Sequence, residues 1–178
     1  MTIVAKIGDR FSRELVSAAE AAFHLASKTF RAEKAWEYPL GGYFCIADGI
    51  TGTPYLTILI GEVENSKADR YYEFCREKAQ RLAANPDHLS SWQSRDERTG
   101  QYGGAIRVGR HILSFSGLPE LGDEAILLAA SMMWCNRLGM TELLKPLSEV
   151  PVVSNNHYWE ELKEKIELET AVAEHAGT

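Results

Sequence analysis

Cysteine is scarce in this chain: Cys45, Cys75 and Cys135 are the three in 178 residues. The number is odd and no two stand in a CxxC spacing, so neither a disulfide framework nor a zinc site is signalled. They read as small buried hydrophobes in a reducing compartment. No apolar run approaches the ~18 residues of a membrane-spanning helix, so no membrane partner is expected. The start, MTIVAKIGDRF, lacks the apolar core of a secretion signal, and Arg10 and Arg13 follow at once. The expected location is cytoplasmic. Positive charge is in deficit, with 19 Lys and Arg against 25 Asp and Glu, net -6. Neutralising phosphates needs the opposite balance, so nucleic acid is not an expected partner. HExxH, P-loop, GxSxG and dinucleotide fingerprints are all missing, and no catalytic residue is assigned. Internal repeats and low-complexity tracts are missing as well.

What is present is ordinary for a soluble domain: 45% hydrophobic and 25% charged residues, in a length that fits one domain with a core. Residues 9–33 carry Leu15, Ala19, Phe23, Ala26 and Phe30 at spacings of three and four, which predicts a helix with Ser12 as its N-cap. His24 sits at the edge of that stripe as a structural residue. Pro39 and Gly41-Gly42 end the segment. Tyr43–Ala47 and Tyr55–Ile60 read as strands joined through Asp48-Gly49-Ile50-Thr51-Gly52, with Pro54 at a strand start. Residues 67–84 read as a second helix. Tyr71, Phe74, Cys75, Lys78, Ala79 and Leu82 mark one of its faces, and Asn85-Pro86 stops it.

Residues 103–138 are the most hydrophobic and glycine-punctuated part of the chain. Ala105–Val108 and His111–Phe115 alternate around Gly109-Arg110, which predicts a short hairpin. Ser116-Gly117 leads to Pro119, a good first-turn residue. Asp123 and Glu124 fall where negative charge complements a helix dipole. From Ala125 to Cys135 nearly every residue is apolar, so this helix must be covered on more than one side: by the sheet and by the tail or another subunit. Arg137 and Gly139 close it. Residues 140–153 read as a short helix and an extended link through Pro146 and Pro151. Residues 155–173 read as a last helix with Tyr158, Leu162 and Ile166 on one side and a Glu161–Lys165 pair.

Residues 85–102 form the least regular interior stretch, and loops of this length are often functional. His88, Ser90, Ser91 and Asp96 stand in it without a nucleophile-elbow pattern, so they are not read as a triad. His88, Trp92 and Arg95 are candidates for an interaction loop. Trp92 is expected to bury against the core or a partner.

Four short motifs then stand in order: Glu77-Lys78-Ala79, Gly103-Gly104, Ser114-Phe115-Ser116-Gly117 and Asp123-Glu124-Ala125. With the order helix, hairpin, helix, loop, hairpin, helix, they make residues 9–138 resemble the GlcG/HbpS-like family, also called haem-degrading-domain proteins. The resemblance implies an α+β, profilin-like fold: an antiparallel sheet of about four to five strands with helices packed on it. It implies homo-oligomers, and haem as a possible cofactor, since some members bind it. Other members are encoded near glycolate metabolism. The chain departs from the family in the longer, more polar loop at 85–102 and in the tail from Met140. Residues 1–139 are therefore read as the α/β domain and 140–178 as a C-terminal helical extension packed on it.

The expected function is binding of a small ligand, haem or a small organic acid. Backbone N–H groups of Gly103-Gly104 and Ser116-Gly117, with Tyr102, Arg107 and His111, would form the site. The same glycines also serve simply as turn formers. The alternative is an interaction module with no small-molecule ligand, anchored through Trp92 and Trp159.

Overall fold

Leu15, Ala18, Ala19, Ala22, Phe23, Ala26 and Phe30 are all buried. Their helical spacing forms α1 (Val4–Thr29). The computed structural model describes residues 4–36 and 40–176, so the break expected at Pro39 lies outside the described residues. Ser12 does not cap α1 but lies inside it, because Phe11, which packs on the core, carries the apolar stripe back beyond Leu15.

β1 (Gly41–Asp48) and β2 (Pro54–Gly61) form the expected hairpin. Asp48 holds its turn by accepting hydrogen bonds from Ile50 N (3.0 Å) and Thr51 N (2.8 Å). With the Tyr55 hydroxyl, these donors lower the Asp48 carboxyl to about 2. Then come α2 (Asn65–Ala83), β3 (Ala105–Val108), β4 (His111–Ser116) and α3 (Glu120–Leu138). The sheet order is β2-β1-β4-β3, antiparallel throughout. The α+β class and the antiparallel sheet of four strands are those expected.

Strand alternation divides the core in two. Phe44, Ile46, Ile106, Val108, Leu113 and Phe115 join α1 and α3 on one face. Cys45, Ala47, Ala105 and Ile112 join Cys75, Ala79 and Leu82 of α2 on the other. The sheet is thus a middle layer, which is why its central strands are apolar on both sides. β3 is also covered along its outer edge by the 85–102 segment: Arg107 N donates to Leu89 O at 3.0 Å and Ser90 bridges to Ile106.

The tail stays helical where an extended link was expected. α4 (Leu144–Leu147) and α5 (Val150–Ser154) fill that region, because Pro151 falls in a first turn, where its missing N–H leaves no bond unmade. α6 (His157–Ala176) buries Tyr158, Leu162 and Ile166 in the same core as α1 and α3. The apolar α3 is therefore covered by the sheet, α1 and α6.

Candidate functional site

The four short motifs meet at one buried point. Lys78 is 2% exposed and Asp123 is 1% exposed. Lys78 Nζ donates to Asp123 Oδ2 at 2.8 Å and to the Phe115 carbonyl at 2.9 Å. Leu118 N donates to Asp123 Oδ1 at 2.9 Å. Gly104, at φ +106°, leaves the room: a Cβ there would stand 2.7 Å from Asp123 Cβ and 2.9 Å from Lys78 Nζ. Burial raises the Asp123 carboxyl to about 7 against the downward pull of Lys78 and the Leu118 N–H. A cavity of about 450 Å³ opens beside the pair, between Arg70, Tyr71, Phe74, Tyr102, Ser116 and Gly117.

Glu124, the next residue, turns to the opposite side and ties the tail to the body. It accepts hydrogen bonds from the hydroxyls of Ser90 and Ser154 and from Asn156 Nδ2 at 3.1 Å. Burial raises its pKa while these three donors oppose the rise. Asp123 and Glu124 read in the sequence as helix-dipole partners; in the fold each holds a separate junction.

The residues of the expected anion cradle do not form one site. Gly103 N donates to Glu120 Oε2 at 2.9 Å, so that backbone donor is taken. Arg107 donates to the carbonyls of Gly49 (2.6 Å), Leu82 (2.8 Å), His88 (3.3 Å) and Asn85 (3.4 Å), and so works as a clamp between loops. Tyr102, Ser116 and Gly117 line the cavity beside Lys78, whereas His111 lines a different one.

The 85–102 segment is more ordered than its composition suggests. Ser90 and Gln93 form a reciprocal capping box on a 3-10 turn at Ser91–Ser94. Arg81 reaches across from α2 to Ser91 O at 2.8 Å, Ser94 Oγ at 2.7 Å and the Tyr102 carbonyl. Trp92 packs against Gly103, and the Arg95 guanidinium lies over its ring at 4.2 Å. His88 Nδ1 is buried with no hydrogen-bond partner among the described residues.

His111 belongs to a cavity of about 810 Å³ between α1, the β3–β4 turn and the end of α3. Phe11, Val108, Trp134, Leu138, Met140 and Leu143 supply apolar walls, and Arg10, Glu14 and Arg110 the charges. The His111 ring lies 4.5 Å from Phe11, which in turn meets Trp134 edge-on at 5.4 Å. His111 Nδ1 and Trp134 Nε1 are both buried without a hydrogen-bond partner among the described residues. Burial first, then Arg110, lowers the His111 pKa, with Asp48 opposing. The imidazole is thus held towards its neutral form. Phe11, Trp134 and Leu143 carry no sequence signal for such a role, since each looks like any apolar residue on its segment.

The fold is a three-layer α+β arrangement, with α1, α3 and α6 on one face of the sheet and α2 on the other. Compared with known proteins, the chain matches no family, no curated protein and no solved structure. Among the described residues, no group of three His, Cys, Asp or Glu could hold a metal ion, and no helix is long and apolar enough to cross a membrane.

Proposed function

We propose that this protein binds a small, largely apolar molecule bearing an acidic group, in the cavity that His111 lines. The observation that carries this reading is the cavity itself. Its volume of about 810 Å³ lies within the range of small-molecule sites, which pair apolar walls with a few polar groups. Phe11 and Trp134 offer aromatic surface, His111 a neutral imidazole, and Arg10 and Arg110 cations for a carboxylate. The sealed Nδ1 leaves Nε2 as the ring nitrogen for a ligand to meet.

The resemblance to GlcG/HbpS-like proteins makes haem the first molecule to try. The residues present fit it: His111 would ligate the iron, Phe11 and Trp134, which touch each other, would wall one side of the ring, and Arg110, with Arg10 from its pair with Glu14, would meet the propionates. Bound there, haem would supply an iron centre and an intense chromophore. The four motifs that carry the resemblance meet at Lys78 and Asp123, apart from this cavity.

The test is a titration of purified protein with haem, followed by Soret absorbance, and with aromatic and aliphatic carboxylates, followed by isothermal calorimetry. Saturable binding that weakens at least tenfold in His111→Ala and in Trp134→Leu is expected. Featureless titrations with every ligand, or binding untouched by both substitutions, would overturn the assignment.

A further inference from the structure

We propose that β2 is the edge through which two copies of this chain associate, joining their sheets into one. The two edges of the sheet are treated differently. β3 is covered by Leu89 and Ser90 of the loop, with Ala105 N donating to Ser91 Oγ at 2.9 Å. Among the described residues no strand or loop pairs with the outer side of β2.

The hydrogen-bonding parity of that open side follows from one bond. Glu62 N donates to Leu40 O at 3.1 Å. Backbone groups alternate along an antiparallel ladder, so Ile60, Ile58 and Leu56 turn theirs towards β1. Leu59 and Thr57 therefore turn theirs outward. A β-bulge at Tyr55 shifts the register, and Asp48 N donates to Thr53 O at 3.0 Å, so Thr53 faces β1 and Pro54 faces outward; the bulge and the missing N–H end the outward row at Thr57.

The occupant that fits this edge is a second copy in antiparallel register about Ile58. Thr57 of one copy then faces Leu59 of the other, and the outward N–H groups and carbonyls of these two residues meet in reciprocal pairs. Charge favours the same choice. The chain carries a net charge of -6, so copies repel except where acids are missing. Residues 49–61 are the longest stretch without a charged side chain, bracketed by Asp48 and Glu62. A two-fold axis at Ile58 sets Glu62 against Pro54 and never acid against acid.

The guards of a free edge stand only at the first end of β2, in Pro54 and the bulge at Tyr55; from Leu56 to Gly61 the strand has no lysine, no inward charge and no proline. Tyr55 is 56% exposed and Leu59 49% exposed on the strand, and Ile50 is 86% exposed at the turn of the same hairpin. Self-complementary pairing of one patch about a two-fold axis is the commonest way such surfaces are covered.

The experiment measures native mass by light scattering at micromolar concentration for wild type, Leu59→Lys, Thr57→Pro and the control Val152→Lys, with circular dichroism on each. Wild type and Val152→Lys are expected at twice the 19.9 kDa chain mass or a higher even multiple. Leu59→Lys and Thr57→Pro are expected at half the wild-type mass with an unchanged spectrum. If Thr57→Pro fails to fold, Leu59→Lys alone decides. A wild type of single-chain mass, a folded Leu59→Lys of unaltered mass, or loss of the dimer in Val152→Lys would each overturn the proposal. The reading does not use the His111 cavity and stands or falls separately from it.

Discussion

Lys78 and Asp123 are 45 positions apart in sequence and 2.8 Å apart in the fold, both sealed from solvent. They join α2, the end of β4 and the start of α3 across the sheet. Breaking such a pair from one side leaves an unpaired buried charge, at a cost of about 3–5 kcal/mol. Lys78→Met and Asp123→Leu, made singly, are each expected to lose about that much in chemical denaturation. The double variant is expected to recover most of the loss, because an apolar pair of similar volume carries no desolvation penalty. Additive single losses would show that the two side chains do not act as a pair.

The pH dependence of that pair has a definite sign. Asp123 binds its proton with a pKa of about 7 in the fold, against a model-peptide value of 3.8. Between those values the folded state holds more protons than the unfolded one, so this group's contribution to stability falls as pH rises. Wild type is expected to lose stability relative to Asp123→Asn from about pH 4 to pH 7 and to level off above that. Parallel stability curves for the two proteins across this window would contradict a buried, proton-holding Asp123.

Gly104 and Gly100 both have positive φ, at +106° and +72°, but only Gly104 is hemmed in. A methyl group at Gly100 meets nothing within 4 Å. At Gly104 it would drive into Asp123 and Lys78. Gly100→Ala is expected to cost about 1 kcal/mol, from backbone strain alone. Gly104→Ala is expected to cost at least about 2 kcal/mol more, since it also displaces a buried ion pair. Equal losses in thermal or urea unfolding would show that close approach at Gly104 carries no weight.

The local parts of this fold were legible because local spacing encodes them. The stripe from Leu15 to Phe30 gave α1, Asp48–Gly52 gave a turn, and the run from Ala125 to Cys135 demanded cover on several sides. Lys78 was legible too, as a position on the apolar face of α2, but its partner was not. Asp123 in a first helical turn looks like any dipole partner until the chain is folded. Arg107, read as part of an anion cradle, and Arg81, which nothing in the sequence singles out, are both clamps in the fold, and an arginine that clamps several loop carbonyls has no sequence signature. Pro151 misled because a first-turn proline and an extended-link proline look alike. The His111 cavity is walled by residues such as Phe11 and Trp134, which read as ordinary core, so His111 was grouped with the glycines instead.

Glu124 gives the tail its attachment, and this can be read out region by region. Replacing it with Ala takes the acceptor from Ser90 and one of two acceptors from Ser154, which also reaches Val150 O, and from Asn156, which also reaches Leu121 O. Each unsatisfied buried group costs about 1–3 kcal/mol, less what water recovers. Glu124→Ala is expected to lose about 3 kcal/mol overall. Amide protection in α5 and the first turn of α6 is expected to fall first, with β1 and β4 protected until global unfolding. Uniform loss of protection across the chain would show that Glu124 does not hold a separable junction.

His111 offers the last test, because its environment favours one protonation state. Burial and Arg110 hold its pKa below the ordinary 6.5. As pH falls through that value the unfolded chain takes up the proton before the folded one does. Stability therefore drops on acidification. His111→Phe keeps a ring against Phe11 but cannot be protonated. Wild type is expected to become less stable than His111→Phe as pH is lowered from about 7 to 5, with no divergence above pH 7. A ligand that meets the neutral imidazole must lose affinity over the same interval, since each protonated ring removes a donor nitrogen. If affinity stays flat while the stability difference changes, His111 titrates as described but does not touch the ligand. The binding contacts must then be sought at Trp134 and the two arginines.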